Sequence, residues 1–268
     1  MSGERRPTAE DVAAWWTSGV SDIAPGRIRL KGYAVEELIG RVGFGDVIWL
    51  LLRGDLPSRA QRELMEAAMI GGVDHGPFAP SMAIARMAIS CGGGLNNAMA
   101  SAVNVLGDVH GGAGEQCMAL YEKVAARVKK GEALAEAARA ELPKGYVPGF
   151  GHRFHPVDPR SPRLLGLVDE AARNGEVPGL YAAIGREVER AIEARAGKHV
   201  PMNVDGVTAV VFCELGFAPP LGRGLFCLAR SVGALAHAWE EMQAGTRIKG
   251  PVPREATFRY TGPPDRSL

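Results

Sequence analysis

Residues 202–217 read "MNVDGVTAVVFCELGF", and this stretch decides the fold. After Asp205, an acid suited to the N-cap or first turn of a helix, nearly every side chain to Phe217 is apolar. A surface helix shows one apolar stripe, whereas one that is apolar on most sides belongs inside a protein, covered by other elements. Residues 221–243, "LGRGLFCLARSVGALAHAWEEMQ", repeat the pattern. Two central, buried helices are therefore expected.

The segments around them supply the cover. "AVEELIGRVGFGDVIWLLLRG" (34–54) ends on Gly54 with Pro57 beyond, and "SRAQRELMEAAMIGG" (58–72) opens on Ser58 as an N-cap and closes on a glycine pair. Segments 82–94, 96–107, 115–131, 132–142, 161–175 and 179–197 carry apolar residues at three and four spacing, and most close on glycine. Alternating β-branched runs are nearly absent, which leaves little room for a sheet. The fold class expected is all-α.

At 268 residues the chain can bury a substantial core. Lys+Arg 31 against Asp+Glu 30 leaves a net charge of +1, which argues against a general nucleic-acid binder and for a partner engaged in a pocket. The four cysteines, Cys91, Cys117, Cys213 and Cys227, have no CxxC spacing and lie in apolar stretches, so they read as reduced, buried thiols. A cytoplasmic setting is expected from them. The longest apolar run, "VIWLLL", stops at Arg53, too short to span a membrane, and the first residues lack the apolar core of a secretion signal.

Four places break the helical pattern. His75 lies in the Gly/Pro-rich "GGVDHGPFAPS", His110 in "GDVHGGAGEQ", His152 in "GYVPGFGHRFHPVDPR" (145–160) and Asp205 in "PMNVDGVTA". Glycines beside each would let a ligand approach the backbone and leave amide N–H groups free to donate. His152 and His155 are three apart, but in a Gly/Pro loop without HExxH or a cysteine pair, so no metal is expected. GxSxG, GxxxxGK[ST] and a strand-borne GxGxxG are missing. A carboxylate with several imidazoles suits proton transfer at carbon while hydrogen bonds hold a developing oxyanion. Arg153, Arg160, Arg163 and Arg230 could clamp carboxylates.

"HGGAGE", "PGFGHRFHPVDPR" and "MNVDG", in that order and spacing, resemble the three signature segments of the citrate synthase superfamily. "PGRIRLKGYAVEELIGRVGFGDVIWLLLRGDLP" is similar to its opening segment, so the likeness covers nearly the whole chain. The resemblance implies a large and a small helical domain, here 1–112 with 216–268 and 113–215, and a homodimer. It implies that His110 holds the thioester oxygen of acetyl-CoA, that Asp205 exchanges the α-proton, and that His152 binds and protonates the oxaloacetate carbonyl. His75, Arg160 and Arg230 would bind oxaloacetate, with Arg163 the other candidate for the clamp of Arg160. Arg247 or Arg254 would complete the neighbouring subunit's site, although the tail departs from the family pattern. Gly149, Phe150, Gly151 and Lys198 fall where coenzyme A is held.

Within the superfamily the short length, "DHGP", "NVDG" and "RSVGALAH" resemble citryl-CoA lyases and the C-terminal lyase module of ATP-citrate lyase. His110 in "DVHGG" is instead synthase-like. The expectation is cleavage of citryl-CoA, or a similar 3-hydroxy-3-carboxyacyl-CoA, to acetyl-CoA and oxaloacetate. The alternatives are a compact citrate or methylcitrate synthase and a non-catalytic CoA or dicarboxylate sensor; the sensor needs lost catalytic groups, and His75, His110, His152 and Asp205 are all present.

Overall fold

The structure, a computed structural model, describes residues 6–152, 156–250 and 259–267. Arg153, His155 and Arg254, named above as candidates, lie outside the described residues.

Twelve helices are present among the described residues: α1 (Ala9–Trp15), α2 (Val35–Leu38), α3 (Phe44–Arg53), α4 (Arg59–Gly72), α5 (Pro80–Ser90), α6 (Leu95–Asn104), α7 (Ala113–Val128), α8 (Leu134–Glu141), α9 (Arg160–Arg173), α10 (Leu180–Ala196), α11 (Val204–Glu214) and α12 (Pro219–Ala244). Helix α11 is the hub, with every residue from Gly206 to Glu214 buried. It packs against α4, α7, α9 and α10, which explains why its sequence has no polar face. Its last residue, Glu214, accepts hydrogen bonds from the amides of Gly179, Tyr181 and Ala182 at 2.9, 2.7 and 3.0 Å. Burial raises the carboxyl's pKa, and those three amides at the start of α10 pull against the rise.

The main apolar core runs from Trp49 and Met65 through Met118, Tyr121, Ile184 and Val210 to Leu225. A second core joins α5, α6 and α12 through Met82, Ala85, Ile89, Ala98, Ala102, Ala234 and Ala238. The many alanines let these three helices approach closely. The second buried helix expected from sequence, α12, is therefore only half right. One side is buried, but Leu228, Val232, Leu235, Trp239 and Met242 are exposed at 47, 58, 40, 50 and 39%.

Two further expectations need correction. The first concerns residues 21–34, which form a small three-stranded antiparallel sheet of β1 (Ser21–Ala24), β2 (Arg27–Leu30) and β3 (Tyr33–Ala34). Its turns are made by Pro25–Gly26, with Gly26 at φ +74°, and by Lys31–Gly32, both at positive φ as a tight hairpin requires. The strands are largely exposed, so they lack the alternation that a half-buried strand leaves in a sequence. The second concerns segment 34–54, which is two helices rather than one. Gly40 takes φ +78°, and Gly43 opens α3 with its amide donating to Asp46 Oδ2 at 2.7 Å.

Among the described residues no helix is long and apolar enough to cross a membrane. Of the four thiols only Cys117 and Cys213 are buried; Cys91 is exposed and Cys227 half-buried. All four are free.

Candidate active site

The start of α11 is built by a pairing that sequence spacing could not show. Residues 149–151 run antiparallel to 201–203, with an isolated bridge between Phe150 and Met202. Gly151 N donates to Pro201 O at 2.7 Å, Asn203 N to Gly149 O at 2.9 Å, and Asn203 Nδ2 to Gly151 O at 2.8 Å. Asn203 is the N-cap: its Oδ1 accepts from the amides of Asp205 and Gly206 at 2.9 and 3.3 Å. Asp205 therefore sits in the first turn with its carboxylate left over for other work. The two chains touch so closely that a Cβ on Gly206 would lie 2.3 Å from Gly149 O. Only glycine fits there, and Gly149 at φ +84° is in addition a backbone few other residues adopt.

The same pairing corrects the expectation that the glycine loop leaves its amides free. Phe150 N and Gly151 N donate to Val147 O and Pro201 O, and the Phe150 side chain is buried.

Two arginines are anchored by the last carbonyls of α4. Arg160 donates through NH1 to Gly71 O at 3.0 Å, and Arg230 through Nε to Gly72 O at 2.8 Å. These helix-terminal oxygens carry partial negative charge, which suits cations. Arg160 is otherwise committed. Its Nε and NH2 form a two-pronged pair with Asp158 at 2.9 Å each, and fully buried Asp158 also accepts from Val204 N at 2.9 Å. Arg160 is thus first a tie between α9, α4 and α11, and much of the fork expected to clamp a carboxylate is occupied. Arg163 is exposed. Arg230 is different: it is buried, its guanidinium lies 4.8 Å over the Phe226 ring, and its two terminal nitrogens make no hydrogen bond among the described residues. A buried guanidinium with unspent donors is a ready anion receptor.

The titratable groups converge on Asp205. Burial raises its carboxyl's pKa; Arg230, Arg160 and His75 pull it back, and Asp158 adds to the rise. The net effect is upward. Beside it is a cavity of about 10 Å³ lined by Met69, Gly72, Phe212, Leu225 and Phe226, room for about one water. A larger surface groove of about 260 Å³, between the first turn of α4 and the end of α9, shares none of these residues.

His75, in the turn after α4, stands with its ring 5.6 Å from that of His152 at 62°. His110, just before α7, faces the start of α5, where Ser81 N donates to its Nε2 at 3.2 Å and Ser81 Oγ lies 3.0 Å away. A backbone amide only donates, so Nε2 is unprotonated and the ring proton is on Nδ1. Burial, then the charge of Arg230, lowers the His110 pKa, so the ring is a neutral donor. The tautomer of His110 depends on Ser81, which could not be picked out from the sequence, because a serine at the start of a helix is too common a signal.

The loop before Gly149 adds another. Arg195 binds the carbonyls of Pro143 and Gly145, the latter at 3.1 Å, and Tyr146 follows; its side chain is mostly exposed at 71%, so the rise in its pKa from partial burial and from Asp205 and Cys117 is a small one. Burial also pushes the Cys117 thiol up to about 12, so it is inert behind Asp205.

Arg247 is not brought to this cluster. Lys198 is exposed after α10, and Arg247 is exposed beyond α12. The helical rise puts the end of α12 about 20 Å from Arg230. Among the described residues no group of three or more His, Cys, Asp or Glu could hold a metal ion.

A family model described as "Citrate synthase, C-terminal domain" matches residues 59–251, a span holding every clustered side chain above. The chain belongs to the citrate synthase family. Citrate synthase of Acidithiobacillus ferridurans is 31% identical over 224 residues, which cover 81% of this chain and 54% of that protein. The chain spans about half the length of the curated relatives it matches first. The structure of citryl-CoA lyase from Hydrogenobacter thermophilus superposes with a TM-score of 0.84 at 32% identity, covering 94% of this chain and 97% of that one. ATP citrate lyase from Methanothrix soehngenii, solved with citrate and coenzyme A, shares the fold at a TM-score of 0.76 and 22% identity, over 97% of this chain and 43% of that one. The helical architecture expected from sequence is thus the citrate synthase one.

Proposed function

We propose that this citrate synthase family protein cleaves citryl-CoA, or a similar 3-hydroxy-3-carboxyacyl-CoA, to acetyl-CoA and oxaloacetate. The observation that carries the reading is that a carboxyl raised by burial, Asp205, and a neutral imidazole donor, His110, both lie within electrostatic reach of the buried Arg230 guanidinium. Support also comes from the near full-length match to a citryl-CoA lyase.

In the cleavage direction His152 takes the proton of the tertiary hydroxyl as its C–O becomes the oxaloacetate C=O. The carbon–carbon bond breaks, and its electron pair passes to the thioester enolate, whose oxygen accepts from His110 Nδ1–H. Asp205, in its acid form, gives a proton to the terminal carbon and completes the methyl group of acetyl-CoA. Coenzyme A enters and leaves as part of the thioester. Arg230 receives a carboxylate of the oxaloacetate half, assisted by His75 and by the outer hydrogens of Arg160. Gly149, Phe150 and Gly151 shape the wall beside the cofactor, with exposed Lys198 for a phosphate. The carbon–carbon step calls on no metal.

The test supplies citryl-CoA and follows oxaloacetate by coupled reduction and free thiol by a chromogenic disulfide. Oxaloacetate formation is expected to outrun thiol release. Thiol release ahead of oxaloacetate would sink the lyase reading and favour the second one, a compact citrate or methylcitrate synthase. The names of the curated relatives favour that reading, "Citrate synthase" and, in Bacillus subtilis, "Citrate/2-methylcitrate synthase".

A homodimer or larger assembly is part of the proposal. Leu228, Val232, Leu235, Trp239 and Met242 recur at four and three spacing, so they form one exposed apolar stripe along α12. Arg247, too far to serve its own site, would reach a neighbour's. Residues 113–215 would move as the small domain against 1–112 and 216–268, admitting a thioester that the small cavity at Asp205 cannot hold. Light scattering is expected to give a dimer or larger species, with activity lost on dilution to monomer; an active monomer contradicts this.

A further inference from the structure

The turn that carries His75 is tied to α12 and to the C-terminal segment by a line of side chains that the proposed chemistry leaves unused. Asp74 Oδ2 accepts from Gly76 N at 3.0 Å, bracing the backbone across His75. Its other oxygen lies 3.2 Å from Nε2 of His237, on α12. Nδ1 of His237 is 3.0 Å from NH1 of Arg86, on α5. A guanidinium only donates, so Nδ1 accepts and the ring proton is on Nε2, facing Asp74. Arg86 is held in turn by α12, through the Glu240 carboxylate and through Nε, 2.7 Å from Oε2 of fully buried Glu241. That Oε2 contact is an ion pair without hydrogen-bond alignment. The other oxygen of Glu241 takes Lys249 Nζ at 2.9 Å and the Thr246 hydroxyl, and Lys249 N donates to Ser90 Oγ at 2.8 Å.

Each member has its partners on both sides, and its orientation follows from them. His237 and Arg86, in the middle of the line, are each only 15% exposed by side chain, whereas Asp74 and Glu240 at its ends are 40 and 68% exposed. Burial works to raise the Asp74 pKa, but the amides of Gly76 and His75 and the His237 ring more than offset it and hold the carboxyl in its charged, accepting form.

We propose that His237 is a positioning residue for His75: through Nε2–H it fixes Asp74 and the turn, while Arg86, Glu241 and segment 246–249 hold the imidazole in the required tautomer. The proposal rests on the reading of His75 as an oxaloacetate-binding group.

The experiment compares His237→Leu, which has similar bulk and no hydrogen bonds, with His237→Gln, whose amide N–H₂ can still reach Asp74. Oxaloacetate and coenzyme A affinities are measured by calorimetry. The His75 ring signals are followed by NMR, identified by their loss in His75→Gln. His237→Leu is expected to weaken oxaloacetate about tenfold, equivalent to ~1.4 kcal/mol, with coenzyme A unchanged and the His75 signals displaced. His237→Gln is expected to restore most of the affinity and the signals. Unchanged His75 signals and oxaloacetate affinity in His237→Leu would overturn the proposal, as would equal losses for both ligands in step with a lower Tm. If wild type binds no oxaloacetate, the functional reading fails by itself, and the His75 signals still decide whether His237 sets the turn.

Discussion

Asp205→Asn is expected to abolish turnover and leave the fold intact. The amide keeps the side chain's shape but cannot exchange a proton with carbon, so neither cleavage nor condensation survives. The fold has little stake in the charge. The helix start is capped by Asn203, and among the described residues no hydrogen bond ends on the Asp205 carboxylate. The sign of the pKa shift agrees. A carboxyl raised in the folded state contributes stability that is full below the unfolded value, near 3.8, and lost as pH rises through the higher folded value. Asparagine has no such loss, so the variant is expected to melt at the wild-type temperature or above it at neutral pH. The shift also predicts the pH profile of the wild type. The proposed cleavage uses the acid form of Asp205, so its rate should decline as pH rises through a value above the usual carboxylate range. Wild-type turnover in the variant would remove Asp205 from the chemistry; a collapsed Tm would mean that the charge is structural.

What the sequence made legible is what periodicity and glycine punctuation encode. Residues 204–214 have no polar face because other helices cover them on several sides, and that pattern needs no knowledge of the neighbours. His75, His110 and His152 stood out because glycines interrupt the helices beside them. The sheet at 21–34 was hidden because its strands are mostly exposed and so place no demand on alternation. The break at 39–43 was hidden because apolar spacing runs on through Gly40 and Gly43. The committed state of Arg160 and the support of His110 by Ser81 depend on partners in other elements. Asp158 makes a pair for Arg160 only because the chain turns at Pro159 into α9, and Ser81 meets His110 from 29 residues away. The exposed side of α12 reads the same as a buried one, since its apolar residues follow the same spacing whether or not another element of the chain covers them.

His110→Ala is expected to lower kcat by ~100- to 1000-fold, the usual cost of removing one donor from an oxyanion site. The proton α to a thioester is far too weakly acidic for a free carboxylate to remove, so most of the barrier must fall through stabilisation of the enolate oxygen. Here the donor is prepared before substrate arrives. Ser81 N, at the start of α5, occupies Nε2 and leaves the proton on Nδ1. A neutral ring also avoids placing a second full positive charge close to Arg230, and burial with that charge holds the His110 pKa below its ordinary value of 6.5. No acid limb from His110 is therefore expected near pH 6.5; it should lie lower. Ser81→Ala makes a useful contrast, because it removes the hydroxyl but keeps the backbone amide that sets the tautomer. It should cost far less than His110→Ala. Oxaloacetate affinity, which the proposed function assigns to Arg230 and the His75 turn, should hardly move in either variant. A His110→Ala enzyme within tenfold of wild type would leave the enolate oxygen without its assigned donor, and the proposed chemistry would have to find another.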